Sequence, residues 1–325
     1  MSEWRIFDGE GAAWDSALLG LPGHNFYQCY AWGEVKRRLG WEVCRLIHKN
    51  ACAQVLIRGY PLGLALAWIP GGVAGDSGAW TDSLGSAIRK YTGANMLYLR
   101  LNGLQSGDAA LHPRLVQAGW RRPKARLEKG LSLWCDLSID ESQRLMRASA
   151  NWRHNLKRSG NRNLRVSEWT DPDIASIGRI YRALEGHKGL APQVTDAALA
   201  AYVALLRQQM ILMRCDNRDG QAIALRAAVL FGDTAWDFLA AATPEARKVY
   251  ASHATLWALQ RACAARSVSR YDMGGADPEG NKGVFDFKRG VGAELLEYVG
   301  EWEQASNPLV RIAANAAIHR RGALA

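Results

Sequence analysis

Tyr271-Asp272-Met273-Gly274-Gly275-Ala276-Asp277-Pro278-Glu279-Gly280-Asn281-Lys282-Gly283-Val284-Phe285-Asp286-Phe287-Lys288-Arg289-Gly290-Val291-Gly292 joins the end of a short apolar strand to a glycine-rich turn. A lysine then sits between an aromatic and another glycine. Paired glycines after a strand mark backbone that needs positive φ or close approach by another group; the plain alternative is a surface turn. Asp272 and Asp277 flank the turn, either as its capping side chains or as carboxylates turned toward a ligand. Phe285 and Phe287 alternate with Asp286 and Lys288, which predicts a strand with the rings on one face and Lys288 on the other.

Upstream, the chain repeats one rhythm twice. Trp41–His48 and Ala53–Ile57 read as strands around a polar turn at Lys49-Asn50, and Leu64–Ile69 as a buried third strand. A helix near Leu84–Tyr91 then leads into a strand at Met96–Leu101. The second half follows suit with strands at Met210–Cys215, Ile223–Leu230 and Ala235–Ala240, a helix from His253 to Arg266 and a strand at Arg270–Asp272. A meander, a helix and a strand, occurring twice, predict a duplicated α/β unit. A length of 325 residues accommodates two domains of roughly 150 residues each.

The composition, 48% hydrophobic and 22% charged, is that of a folded globular protein. A formal charge of +10 favours a polyanionic partner such as nucleic acid, a phosphorylated substrate or an anionic membrane surface. The six cysteines, at 29, 44, 52, 135, 215 and 263, form no CxxC pair. They read as reduced core thiols of a cytoplasmic protein. The N-terminal residues carry acids early and lack an apolar run, so no signal peptide is expected. The most apolar stretch, Leu62 to Ile69 between Pro61 and Pro70, falls far short of the roughly 20 residues a membrane span needs. A lipid substrate would therefore be met at the membrane surface.

Two further segments carry chemistry. In Phe26-Tyr27-Gln28-Cys29-Tyr30-Ala31-Trp32-Gly33-Glu34-Val35-Lys36-Arg37-Arg38-Leu39-Gly40-Trp41, helical spacing puts Trp32, Val35 and Leu39 on one face and sends Lys36 and Arg37 elsewhere. Arg144–Arg165 holds seven Lys/Arg residues and no acid. A helix there stacks Arg153 over Lys157 and Arg158 over Arg162. Such like-charge repulsion makes most sense against a polyanion, the plain alternative being a solvated basic linker.

All three segments resemble the FemABX family of aminoacyl-tRNA-dependent peptidyltransferases. Residues 271–292 are similar to its YDxGGxDPEGNxGVxxFKxGxG signature, residues 26–41 to FxQSxxWGxxKxxxGW, and residues 144–165 to its TRxNIRKAxKxGV helix. The resemblance implies an α/β (α+β) fold of two tandem GNAT-like domains with mixed sheets. These are residues 1–140, completed by a C-terminal helix within 301–325, and residues 141–300. The second half lacks a long heptad pattern, which implies the compact type without a coiled-coil arm. The implied activity moves an amino acid from aminoacyl-tRNA onto an amine of a peptidoglycan precursor peptide, with the aminoacyl-tRNA as co-substrate and no cofactor or metal.

Residue by residue, the resemblance implies that Lys288 stabilises the oxyanion; Asp272 and Asp277, read from their place at the turn, either orient the amine or accept its proton, or cap the turn. Lys36 would hold an acceptor phosphate, with Gln28, Trp32, Gly274 and Gly275 around the substrates. Gln193 stands where compact members carry an arginine that assists the lysine. Arg153, Lys157, Arg158 and Arg162 would meet tRNA. The implied partners are aminoacyl-tRNA and a UDP- or lipid-linked muropeptide, with peripheral contact at the inner membrane surface, for a cytoplasmic monomer.

Other sites are absent from the pattern. The seven histidines are scattered, and there is neither a GxSxG elbow nor a metal-ligand spacing. Thr243–Thr255 contains no glycine, which disfavours the phosphate-cradling turn of a coenzyme A-dependent acetyltransferase. The alternatives are an N-acyltransferase of the same scaffold acting on a polysaccharide or glycolipid amine, and a non-catalytic nucleic-acid-binding protein.

Overall fold

The computed structural model describes residues 4–106, 110–192 and 194–320. The chain forms two compact units, one running to Leu131 and resuming at Leu296, the other Ser132–Leu295.

The first unit contains β1 (Arg5–Ile6), α1 (Gly11–Leu19), α2 (Tyr30–Arg38), β2 (Glu42–His48), β3 (Ala51–Tyr60), β4 (Leu64–Gly71), β5 (Ala74–Gly75), α3 (Ser77–Trp80), α4 (Leu84–Thr92), β6 (Met96–Ser106) and α5 (Leu111–Gln117). Strands β1 to β4 form an antiparallel meander, and β4 then pairs parallel with β6. Parallel neighbours need a crossover, which α4 supplies. Its Leu84 and Ile88, one turn apart, are buried in a core shared with Ile57, Ala67, Ile69, Leu99 and Trp120.

The second unit contains β7 (Leu131–Asp136), α6 (Glu141–Arg147), α7 (Ala150–Gly160), β8 (Arg165–Glu168), α8 (Ile174–Lys188), α9 (Asp196–Leu206), β9 (Met210–Asp216), β10 (Ala222–Phe231), β11 (Thr234–Ala242), α10 (Pro244–Lys248), α11 (Ala251–Ala264), β12 (Arg270–Gly275) and α12 (Lys282–Gly290). The meander is β8-β9-β10-β11; α11 is the crossover to β12, which pairs parallel with β11 and antiparallel with β7. The chain returns to the first unit as β13 (Glu294–Ala305), antiparallel to β6, and ends in α13 (Pro308–Arg320). Each unit thus has the meander, crossover helix and parallel strand expected from the sequence, in a mixed sheet.

Two local expectations are corrected. Lys288 is on a helix, α12, rather than a strand. Val284, Phe287, Lys288 and Val291 are buried or half-buried at helical spacing, a stripe the Phe285/Phe287 alternation concealed. Gly290 lets α12 pack closely, since a Cβ there would lie 3.0 Å from the Trp152 ring. The basic stretch 144–165 is not one helix but α6 and α7, broken at Ala148. Ser149 starts α7 by accepting the Trp152 amide at 3.2 Å, a capping hydroxyl that restarts the helix after the extended Ala148.

Among the described residues, no helix is long and apolar enough to cross a membrane. All six cysteines are free and buried.

Candidate active site

The second unit carries a cleft of about 910 Å³ whose lining includes Arg226, Asp237, Tyr250, His253, Asn281, Phe287 and Lys288. Its floor is an ion pair between adjacent strands. Arg226 of β10 donates to both carboxylate oxygens of Asp237 on β11, at 2.8 and 2.6 Å, and the Tyr271 hydroxyl of β12 adds a bond of 2.8 Å. Both partners of the pair are about 8% exposed. A bidentate guanidinium–carboxylate contact with a third donor satisfies charges that would be costly to bury alone.

Beside that floor, β12 ends in the glycine turn. Asp272 Oδ1 accepts the Ser132 hydroxyl at 2.5 Å and the Gly274 amide at 2.7 Å, while Gly274 takes φ +69°. That left-handed conformation is cheap for glycine alone. It turns two successive carbonyls toward α12, and Lys288 Nζ donates to Gly274 O at 3.0 Å and Gly275 O at 2.8 Å. An ammonium has three donors, so one remains for the cleft. Burial lowers the Lys288 pKa, and Arg226 adds to this, while Asp237 and Asp272 oppose it.

The wall is aromatic. His253 of α11 packs against Trp152 (ring centroids 5.2 Å), Phe287 (5.0 Å) and Tyr250 (5.9 Å). Burial pushes the His253 pKa down to about 4, so the ring is neutral near pH 7. Its Nδ1 and the Trp152 indole N–H are buried with no hydrogen-bond partner. Tyr250 adopts φ +60° just before α11, and the Arg158 guanidinium lies 4.5 Å from its ring centroid. The arrangement offers one buried ammonium donor, a neutral imidazole and stacking surface, the elements that stabilise a developing oxyanion and hold a planar ligand.

The expected residues fall into groups. Lys288, Gly274, Gly275 and Asp272 come together, and of them Lys288 lines the cleft. Asp272 and Asp277 both serve as turn caps: Asp277 accepts the Gly280 amide at 2.8 Å, and Asp272 holds Gly274 as above. Lys157, Arg158 and Arg162 are exposed. Arg153 is exposed as well, but its guanidinium is engaged, donating to Met146 O and Ala148 O at 3.1 and 2.6 Å and closing the end of α6. Gln193 lies outside the described residues.

In the first unit, Gln28 is corrected from a substrate ligand to a core tie. Fully buried, it bonds the backbone of Gln54 and Pro70 through both ends of its amide. Trp32 is 3% exposed and likewise core. Lys36 does not project into solvent: its Nζ is 4.3 Å from the Trp32 ring centroid and 5.7 Å from that of Trp68. Burial, with Arg58 nearby, lowers its pKa to about 8.

Sequence reasoning missed Arg226, Asp237 and His253. The available signal was one arginine within the apolar run 222–231 and one aspartate within 234–242, opposite charges on consecutive strands.

The fold is that of the tandem GNAT-like class. The protein is similar to a tandem GNAT protein from the clavulanic acid biosynthesis pathway, at 13% identity over 95% of this chain and 99% of the other, with a TM-score of 0.61. The FemAB family model matches residues 204–319, and the crystal structure of FemX superposes with a TM-score of 0.81, at 14% identity, over 96% of this chain and all of the other. Over residues 204–319 the chain is thus similar to the FemAB family, and over nearly its whole length it shares the fold of FemX. It is also similar in fold to the C-terminal domain of a putative lysylphosphatidylglycerol synthetase from Agrobacterium fabrum, at 14% identity over 95% and 97% of the two chains, with a TM-score of 0.59. Comparison with curated proteins gave no match.

Proposed function

We propose that this protein is an aminoacyltransferase that moves an amino acid from aminoacyl-tRNA to an amine on the peptide stem of a peptidoglycan precursor. Family and fold support a transferase. The observation that carries the finer reading is Lys288, buried at the cleft, fixed by the Gly274 and Gly275 carbonyls and left with one donor. The acceptor amine attacks the ester carbonyl; a C–N bond forms and the C–O bond to the ribose breaks. The amine proton ends on the departing ribose oxygen. The donor is already activated, so the protein needs only to align the substrates and stabilise the oxyanion. Asp272 shapes the turn that aims Lys288, and Arg226 and Asp237 hold the floor. Lys157, Arg158 and Arg162 suit the RNA phosphates.

In this reading the enzyme is a cytoplasmic monomer that needs no metal or cofactor beyond its two substrates. Mass spectrometry of muropeptides from cells with and without the gene tests it. The expected result is loss of one residue's mass from the bridge, restored by wild-type protein and not by Lys288→Met. Unchanged muropeptides would refute the peptidoglycan acceptor.

A further inference from the structure

An amine that attacks an ester has to lose a proton, and the carboxylates around Lys288 are already committed. Asp272 holds the Ser132 hydroxyl and the Gly274 amide, and Asp277 holds the Gly280 amide. Among the described residues that line the cleft, the one carboxylate is Asp237. It takes two bonds from Arg226 and one from the Tyr271 hydroxyl, and protonating it would strand a buried guanidinium. Lys188 and Arg247 bring cations to the lining, and the Tyr250 phenol is a far weaker base than an imidazole. That leaves His253.

His253 stands in the first turn of α11, its amide bonded to Tyr250 O at 3.0 Å. Its ring meets that of Phe287 at 85°, with centroids 5.0 Å apart, and Phe287 precedes Lys288 in α12. The Trp152 and Tyr250 rings lie at 5.2 and 5.9 Å. Of the two imidazole nitrogens, only Nδ1 is sealed in without a hydrogen-bond partner. Aromatic faces attract an N–H and repel a lone pair, so the ring proton belongs on Nδ1. Nε2 then carries the free lone pair, and it is the nitrogen left for the cleft that His253 lines. The burial that pushes the His253 pKa down to about 4 keeps this lone pair unprotonated near pH 7. It also makes the imidazolium, once formed, a ready proton donor.

We propose that His253 is a further catalytic residue, whose Nε2 relays the proton of the attacking amine to the departing ribose oxygen. The neutral amine adds to the ester carbonyl: the C–N bond forms, and the carbonyl electrons move to the oxygen that Lys288 stabilises. The nitrogen, now cationic and more acidic than a free ammonium, gives its proton to Nε2. The carbonyl then re-forms, the C–O bond breaks, and the imidazolium passes the proton to the ribose oxygen. His253 ends as it began, and no co-reactant is consumed. The relay rests on the transferase reading above and adds to it a route for the proton.

The test is turnover with tRNA charged with radiolabelled amino acids and a UDP-linked muropeptide as acceptor. His253→Phe keeps a ring in the aromatic wall, so its Tm at neutral pH and its KM for both substrates should stay near wild type. Its kcat should fall about a hundredfold, the share of one general acid–base group. His253→Ala opens a space of the lost ring's size beside the cleft. Added imidazole should raise the rate of this variant about tenfold, whereas pyrazole, of the same size and a far weaker base, should not. Near-normal turnover by either variant, equal rescue by the two azoles, or no rescue by imidazole would overturn the relay and leave His253 a packing residue. Wild-type protein that transfers nothing to the muropeptide would refute the transferase reading and the relay with it. An active wild type beside an equally active His253→Phe would remove the relay alone.

Discussion

Lys288 donates its ammonium to the carbonyl of Gly275 at 2.8 Å, against a turn laid down at the end of the preceding strand. A bond to a neutral acceptor leaves the positive charge uncompensated at that contact. The nearby carboxylates of Asp237 and Asp272 favour its charged form without pairing with it directly.

Replacing Lys288 with Met keeps much of the aliphatic stem and removes the charge. If the ammonium acts mainly in the transition state, kcat for aminoacyl transfer should fall about 10²–10³-fold with little change in KM. Steady-state assay with both substrates checks this, and near-normal turnover by the folded variant would remove Lys288 from the mechanism.

Asp237→Asn leaves Arg226 buried without its counter-charge. Loss of one partner from a buried pair should destabilise the protein by about 3–5 kcal/mol, read as a shift in the urea midpoint. A change below 1 kcal/mol, on the order of a surface pair, would mean that solvent already reaches the floor.

His253 has a folded pKa of about 4 against an ordinary 6.5. Between those values the unfolded chain binds the extra proton, so stability rises with pH through this window and is lost progressively as pH falls from 6.5 toward 4. His253→Phe keeps the ring packing and should flatten that part of the Tm–pH curve. An unaltered curve would show that other groups set the acid response.

Lys36 follows the same sign, with a folded pKa of about 8 against 10.5. Its charged form is disfavoured in the fold, so its cost is present below about pH 8 and is relieved as pH rises toward 10.5. Lys36→Met should raise stability at neutral pH by on the order of 1–3 kcal/mol while weakening acceptor binding. Lower stability, measured by urea unfolding, would show that the contact with Trp32 outweighs desolvation.

The basic stretch 144–165 divides into two kinds of residue. Combined Lys157→Gln, Arg158→Gln and Arg162→Gln should reduce the slope of log affinity for tRNA against log salt by about 0.9 per lost phosphate contact. Arg153→Gln should instead lower Tm, because its guanidinium closes α6. An unchanged slope in the triple variant would argue against the RNA assignment.

The repeated meander was legible because its strands are runs of apolar residues separated by polar turns such as Lys49-Asn50, and such patterns act within one element. The glycine turn at 274–275 was legible for the same reason, since positive φ has a local residue signature. The Lys288 helix was misread because Phe285-Asp286-Phe287-Lys288 fits both periods. Contacts of Lys288 with the strand end and of Phe287 with His253 and Trp152 select the helical one.

By itself, the sequence determined the duplicated plan of meander, helix and strand and the glycine turn that ends the second copy. Only the tertiary structure decided that Gln28 and Trp32 are core, that Arg153 is a cap, and that Arg226, Asp237 and His253 complete the cleft. Hydrophobic period and turn chemistry are properties of neighbouring residues. Burial and ion pairing depend on strand register and on helices brought together from distant parts of the chain, where no short-range signal reaches.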